Sequence, residues 1–179
     1  MTEIANNYGL ALYELARDEG CQEQILRELG VLCEAFSGEP AFLQLLSTPS
    51  IPKAERCQIL DESFRGSIHP YVLNFMKILT ERGYMRQFSG CCQVFRQQYN
   101  QDNNILPVTA VTALPLTAEL REKLTAKLSA VTGKRIELDC RVEPDALGGV
   151  RLDFDGKQVD GTVRRRLDDI RSLLKNTVL

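Results

Sequence analysis

One histidine, no tryptophan and no C-x-x-C spacing leave this 179-residue sequence short of the side chains that build most catalytic and metal sites. His69 has no second imidazole to share a metal with, and its place before Pro70 is that of a structural residue at a helix start. Six cysteines (Cys21, Cys33, Cys57, Cys91, Cys92, Cys140) stand without a histidine cluster, so no metal and no cofactor is expected. No apolar run approaches the roughly 18 residues of a membrane-spanning helix. The opening Met1-Thr2-Glu3-Ile4-Ala5-Asn6 lacks the basic region and apolar stretch of a secretory signal, so a reducing compartment and free thiols are expected. No long block of like charge is present either, which argues against a nucleic-acid-binding tail.

What is present describes an ordinary globular chain. Apolar residues make up 44% and charged residues 26%, enough to bury a core without staples. The net charge of −2 is unevenly spread. Residues 1–105 carry 9 basic and 13 acidic side chains, whereas residues 106–179 carry 13 basic and 11 acidic. Two parts with different partners are therefore expected.

The first part reads as helices with short breaks. Helical spacing of apolar residues predicts segments over 3–17, 22–36, 40–46, 52–64, 70–81 and 85–101. Thr2, Ser50 and His69-Pro70 supply starts, and Gly20, Gly38-Glu39-Pro40, Thr48-Pro49 and Gly83 supply stops. Six helices on short loops predict an antiparallel six-helix bundle over residues 1–104. The last of them lines up Phe88, Cys91, Cys92, Phe95 and Tyr99, so the adjacent thiols read as small apolar helix residues in preference to a redox switch.

Near residue 105 the period changes from helical to alternating. Ile105 to Ala113 reads as a strand, and Thr117 caps a helix to about Val131 that Gly133 stops. Arg135 to Val142 alternates, with Ile136, Leu138, Cys140 and Val142 on one face. Residues 150–154 and 157–159 form a hairpin around Asp155-Gly156, and Thr162 caps a last helix bearing Val163, Leu167, Ile170 and Leu174. The fold class is therefore α+β, with a small strand-and-helix domain over residues 105–179.

Two helices are greasier than a small bundle requires. The first carries one apolar stripe of Ile4, Tyr8, Ala11 and Leu15 and a second of Ala5, Leu12 and Ala16. The fifth runs Tyr71, Val72, Leu73, Phe75, Met76, Ile78 and Leu79, relieved only by Asn74, Lys77 and Thr80. A surface helix needs a single apolar stripe, so the first is either a central helix or one with a spare face. A spare face would form a groove for a partner helix.

Several segments carry a family resemblance. Asn7-Tyr8-Gly9-Leu10-Ala11-Leu12-Tyr13-Glu14-Leu15-Ala16 resembles the pattern R-Y-A-x-A-L-F-E-L-A. Leu45-Leu46-Ser47-Thr48-Pro49-Ser50-Ile51-Pro52 with Arg56 resembles L-L-x-x-P-x-I-x-x-x-x-K, and Asn74 to Glu81 resembles N-F-L-x-L-L-x-E. Val111 to Thr117 is similar to V-T-S-A-x-P-L-S/T. Leu147-Gly148-Gly149-Val150, followed by Val159-Asp160-Gly161-Thr162-Val163 and Leu167, resembles I-G-G-x … I-D-G-S-V-x-x-x-L. In this order and spacing the chain resembles the delta subunit of bacterial F-type ATP synthases, the family of the mitochondrial oligomycin-sensitivity-conferring protein. Asn7, Gly9, Arg56, Tyr84 and Thr162 depart from the pattern, which has arginine, alanine, lysine, arginine and serine there.

The resemblance implies a non-catalytic stator subunit. The N-terminal domain is expected to hold N-terminal helices of the alpha subunits, and the C-terminal domain the far end of the b-subunit stalk. It implies attachment to the cytoplasmic side of a bacterial inner membrane only through the complex. The partner-binding residues expected are Tyr8, Ala11 and Leu12 in the first helix and Phe75, Ile78 and Leu79 in the fifth. Gly148-Gly149 is no phosphate loop, since no Lys-Ser/Thr follows and a strand comes next. Asp160 reads as a turn residue, and Arg164-Arg165-Arg166 beside Asp168-Asp169 as a solvated mixed-charge face. The other readings are an RNA-binding helical module resembling an antitermination factor and an enzyme with a site between the domains. The net −4 of residues 1–105 opposes the first, and the poverty in histidine and metal spacings opposes the second.

Overall fold

The computed structural model describes residues 2–48, 50–143, 149–154 and 156–161. The last helix expected from Thr162, with Val163, Leu167, Ile170 and Leu174, lies outside the described residues, as does the Leu147-Gly148 step. The fold is mixed α+β, with seven α-helices and a four-stranded sheet among the described residues. It divides into two compact units, Met1–Tyr99 and Asn100–Leu179.

The first unit holds α1 (Glu3–Asp18), α2 (Gln22–Gly38), α3 (Pro40–Ser47), α4 (Lys53–Phe64), α5 (Pro70–Arg82) and most of α6 (Phe88–Asp102). Local chemistry sets most of their ends. Thr2 Oγ1 accepts a hydrogen bond from the Ala5 amide and caps α1. His69 Nδ1 accepts from the Tyr71 amide and caps α5, while Gly83, left-handed at φ 76°, closes it. The histidine is thus structural, and its own amide donates to Glu28 Oε2 on α2 at 2.7 Å. Two expectations are corrected. Ser50 does not cap α4, because Pro52 occupies the cap position without a side-chain bond. The sixth helix is not continuous from residue 85, because Met85–Gln87 forms a separate 3-10 turn ahead of α6.

One apolar cluster holds the unit together. Tyr13, Ile25, Leu29, Leu46, Leu60, Met76, Leu79, Phe88 and Phe95 are completely enclosed in it. Four phenylalanines extend it as a set of ring contacts, with Phe36 meeting Phe42, Phe64 and Phe88 at centroid distances of 5.6, 6.3 and 5.2 Å. Arg56 is buried beneath this core and donates from Nη1 to the Leu46 carbonyl at 2.8 Å, closing the end of α3.

The second unit is a sheet in the order β2-β1-β3-β4, formed by β1 (Ile105–Thr112), β2 (Arg135–Val142), β3 (Val150–Phe154) and β4 (Lys157–Asp160). β1 and β2 are parallel, joined through α7 (Ala118–Thr132), with Val108 opposite Leu138. β3 runs antiparallel to β1, placing Leu152 opposite Ala110, and β4 antiparallel to β3. The pairing of Phe154 with Lys157 leaves a two-residue turn in which Gly156 takes φ 70°. Leu106, Val108, Ala110, Ile136 and Leu138 form the core face, against which Leu124 and Leu128 of α7 pack. The alternation of β2 weakens toward its end, where Val142 is exposed.

Candidate functional site

α1 is the element whose two apolar stripes the structure sorts. Ala5, Gly9, Leu12 and Ala16, with Tyr13 beside them, are buried. The reason is the closeness of α6. A methyl group placed on Gly9 would come within 2.7 Å of both the Cys91 carbonyl oxygen and Val94 Cβ, and one on Gly90 within 3.0 Å of Ala5 Cβ. Small residues on both sides let the two helix backbones nearly touch, and that fixes which face of α1 turns inward. The other stripe is left outside. Ile4 and Tyr8 are half-buried, Ala11 is exposed, and Leu15 is 42% exposed.

α5 divides in the same way. Val72, Leu73, Phe75, Met76, Leu79 and Thr80 are buried, whereas Asn74 is exposed, Tyr71 half-buried, and Ile78 38% exposed. The segment following α5 meets α1 directly. Tyr84 and Tyr8 stand edge to face with ring centroids 5.9 Å apart. Just beyond, Thr2 Oγ1 and Gln87 Oε1 are 2.7 Å apart, tying the start of α1 to the 3-10 turn.

The six residues expected to bind a partner therefore fall into two groups. Leu12, Phe75 and Leu79 are 5%, 6% and 0% exposed and belong to the chain's own core, because they sit on the faces that α6 and the neighbouring helices cover. Tyr8, Ala11 and Ile78 lie on the open faces. Ile4, Leu15 and Tyr84 share that character and were not among the six. For Ile4 and Leu15 the signal was their spacing with Tyr8 and Ala11. For Tyr84 the signal was its departure from the family pattern, which has arginine there, since no periodicity places an aromatic after a helix-ending glycine.

Charge plays a small part here. The nearest ionic feature on α5 is Lys77, whose Nζ lies 2.6 Å from Asp61 on α4. The hydrogen bond from Lys77 holds the Asp61 carboxyl below its ordinary range, with Arg65 adding to the effect. Among the described residues, no group of three or more histidine, cysteine or carboxylate side chains is placed to hold a metal. An open apolar face on a helix can seat the apolar face of another helix.

Comparison with known proteins gives this surface a context. The family model of the ATP synthase delta (OSCP) subunit matches residues 4–174. An ATP synthase subunit delta of Clostridium kluyveri is 29% identical over 171 residues, covering 96% of this chain and 94% of its own length. That of Alkaliphilus oremlandii is 29% identical over 176 residues, covering 98% of each. Among solved structures, a chain of the Toxoplasma gondii mitochondrial ATP synthase hexamer has the same fold, with a TM-score of 0.74, 19% identity, and coverage of 97% of this chain and 98% of that one. With the match running nearly from end to end, the chain belongs to the ATP synthase delta (OSCP) subunit family.

Proposed function

We propose that this chain is a mechanical connector whose helical unit grips the catalytic head of an F-type ATP synthase through the open faces of α1 and α5. Membership of the delta family makes it a non-catalytic subunit of the peripheral stalk. The finer reading concerns its contacts. In it, α1 to α6 act as a six-helix bundle over residues 1–104 that receives N-terminal helices of the alpha subunits. The domain of residues 105–179 takes the end of the b-subunit stalk. The stalk then keeps the head from turning with the rotor, on the cytoplasmic side of a bacterial inner membrane. No helix among the described residues is long and apolar enough to cross a membrane, so attachment runs through the other subunits.

The main support is the unused stripe of α1. Ile4, Tyr8, Ala11 and Leu15 repeat at helical spacing, and the core leaves Ile4 and Tyr8 half-open and Ala11 and Leu15 exposed, as it does Ile78 of α5. Covering these side chains gives an amphipathic helix its binding energy, since a fully buried Leu or Ile is worth roughly 1.5–3 kcal/mol. Leu12, Phe75 and Leu79 support that surface from below.

The test is Ile78→Asp. Its position is open enough for the chain to fold, while a docked helix would have to bury the new carboxylate. Losing the isoleucine contact and desolvating a charge together cost more than ~1.4 kcal/mol, so an alpha-subunit N-terminal peptide should bind at least about tenfold more weakly. Unchanged peptide affinity in a folded Ile78→Asp protein would take α5 out of the contact.

A further inference from the structure

The docking reading leaves the cysteines of the helical unit without a role, and two of them meet between helices. Cys33 of α2 and Cys92 of α6 are near enough for each thiol to act on the other's titration, and they line one cavity. Both line a cavity of about 180 Å³ that Leu29, Gly30 and Arg96 help to enclose. The Arg96 side chain reaches across from α6 to α2, where a methyl group on Gly30 would lie 3.7 Å from its Nη2. Cys33 is half-buried and reachable through the cavity, Cys92 is buried, and Arg96 is exposed at its opening. The sequence neighbours Cys91 and Cys92 are a poorer pair, because consecutive residues of an α-helix point about 100° apart.

We propose that Cys33 and Cys92 form a two-thiol modification site, at which a hydroperoxide oxidises Cys33 and Cys92 then closes a disulfide between α2 and α6. Cys33 is the attacking sulfur. The hydrogen bond from Cys92 lowers its pKa below the ordinary thiol value against the effect of burial, and the Arg96 charge adds to the lowering. The Cys92 thiol moves the opposite way through the same bond and through burial, and burial pushes Cys91 up to about 11. Cys21 and Cys57 are also raised by burial.

In the first step the Cys33 thiolate attacks one peroxide oxygen. The O–O bond breaks, Cys33 becomes a sulfenic acid, and the departing oxygen takes a proton to leave as water or alcohol. In the second step Cys92 sulfur attacks Cys33 sulfur, the S–O bond breaks, and the hydroxyl leaves as water with the Cys92 proton. Two thiols lose two electrons and the peroxide gains them. The oxidised form ties α2 to α6 at the residue next to Cys91, on whose carbonyl α1 rests. This proposal stands whether or not the helical unit docks on the catalytic head.

The experiment treats the reduced full chain with one equivalent of hydrogen peroxide, blocks the remaining thiols and maps the peptides by mass spectrometry. The expected product is a Cys33–Cys92 crosslink that forms ahead of oxidation at Cys21 or Cys57, whose thiols are shifted the opposite way. In Cys92→Ser, Cys33 should stop at a sulfenic acid that dimedone traps. In Cys33→Ser, Cys92 should stay reduced. A wild-type map in which Cys33 joins another cysteine, or passes to the sulfinic acid with Cys92 still free, overturns the proposal, as does a map in which both stay reduced while other thiols react.

Discussion

Replacing Gly9 with alanine should destabilise this protein, although the same change stabilises most helices. In the middle of an exposed helix, alanine is favoured over glycine by about 1 kcal/mol. At Gly9 the new methyl would lie 2.7 Å from a backbone oxygen of α6 and 2.7 Å from Val94 Cβ, and neither atom can swing aside. α1 and α6 must move apart, and overpacking of this kind costs about 1–3 kcal/mol. Taking the middle of that range, the propensity gain offsets half, leaving a net loss of about 1 kcal/mol. For a unit of this size that lowers the thermal midpoint by about 4–8 °C. Gly30 is the matched control. It too sits inside a helix, but its nearest neighbour is the end of the flexible Arg96 side chain at 3.7 Å. Gly30→Ala should therefore gain about 0.5–1 kcal/mol. Urea or thermal unfolding of both variants, followed by helical circular dichroism, measures the contrast. If Gly9→Ala were stabilised as much as Gly30→Ala, the close approach of α1 and α6 would be refuted.

Arg56→Ala should cost about 2–3 kcal/mol by urea unfolding, since it leaves the Leu46 carbonyl without its charged donor and opens space in the core. Arg56→Lys should recover part of that. Lys77→Met should flatten the acid side of the stability profile. The Asp61 carboxyl has a depressed pKa in the folded protein, so its contribution is present above the ordinary aspartate range and is lost as pH falls through the folded value. Unfolding measured across the acid range should show that loss in the native chain and little of it in the variant. Thr117→Ala should weaken α7 by about 1 kcal/mol, because Thr117 Oγ1 accepts from the Leu120 amide at 3.3 Å. Its sign is checked by unfolding of the same chain.

The elements of the fold were legible because their signals are local. Thr2, Thr117, Gly83 and Gly133 mark helix ends where they were expected, and the alternation of Arg135 to Cys140 faithfully reports a half-buried strand. Cap and period are properties of a few adjacent residues. The facing of α1 was not legible from hydrophobicity, since Leu12 and Leu15 are equally apolar and end up on opposite sides. What separates the two stripes is size. Ala5, Gly9 and Ala16 mark the side where another backbone can come near, whereas Tyr8 and Leu15 would hold it away. α5 offered no such contrast, because Phe75, Ile78 and Leu79 are all large. Their sorting depends on what other elements cover, as where Phe75 meets Phe88 of α6. The Cys33–Cys92 meeting was likewise invisible, as the partners sit on different helices and only the neighbouring Cys91 stood out.

The bare crossing of α1 over α6 has a mechanical meaning. Between Gly9 and the Cys91 carbonyl there is no side chain to change rotamer, so a sideways pull on α1 passes from main chain to main chain without a soft layer between. A joint of that construction yields little before it fails, which suits a fixture that must resist twisting more than one that must bend.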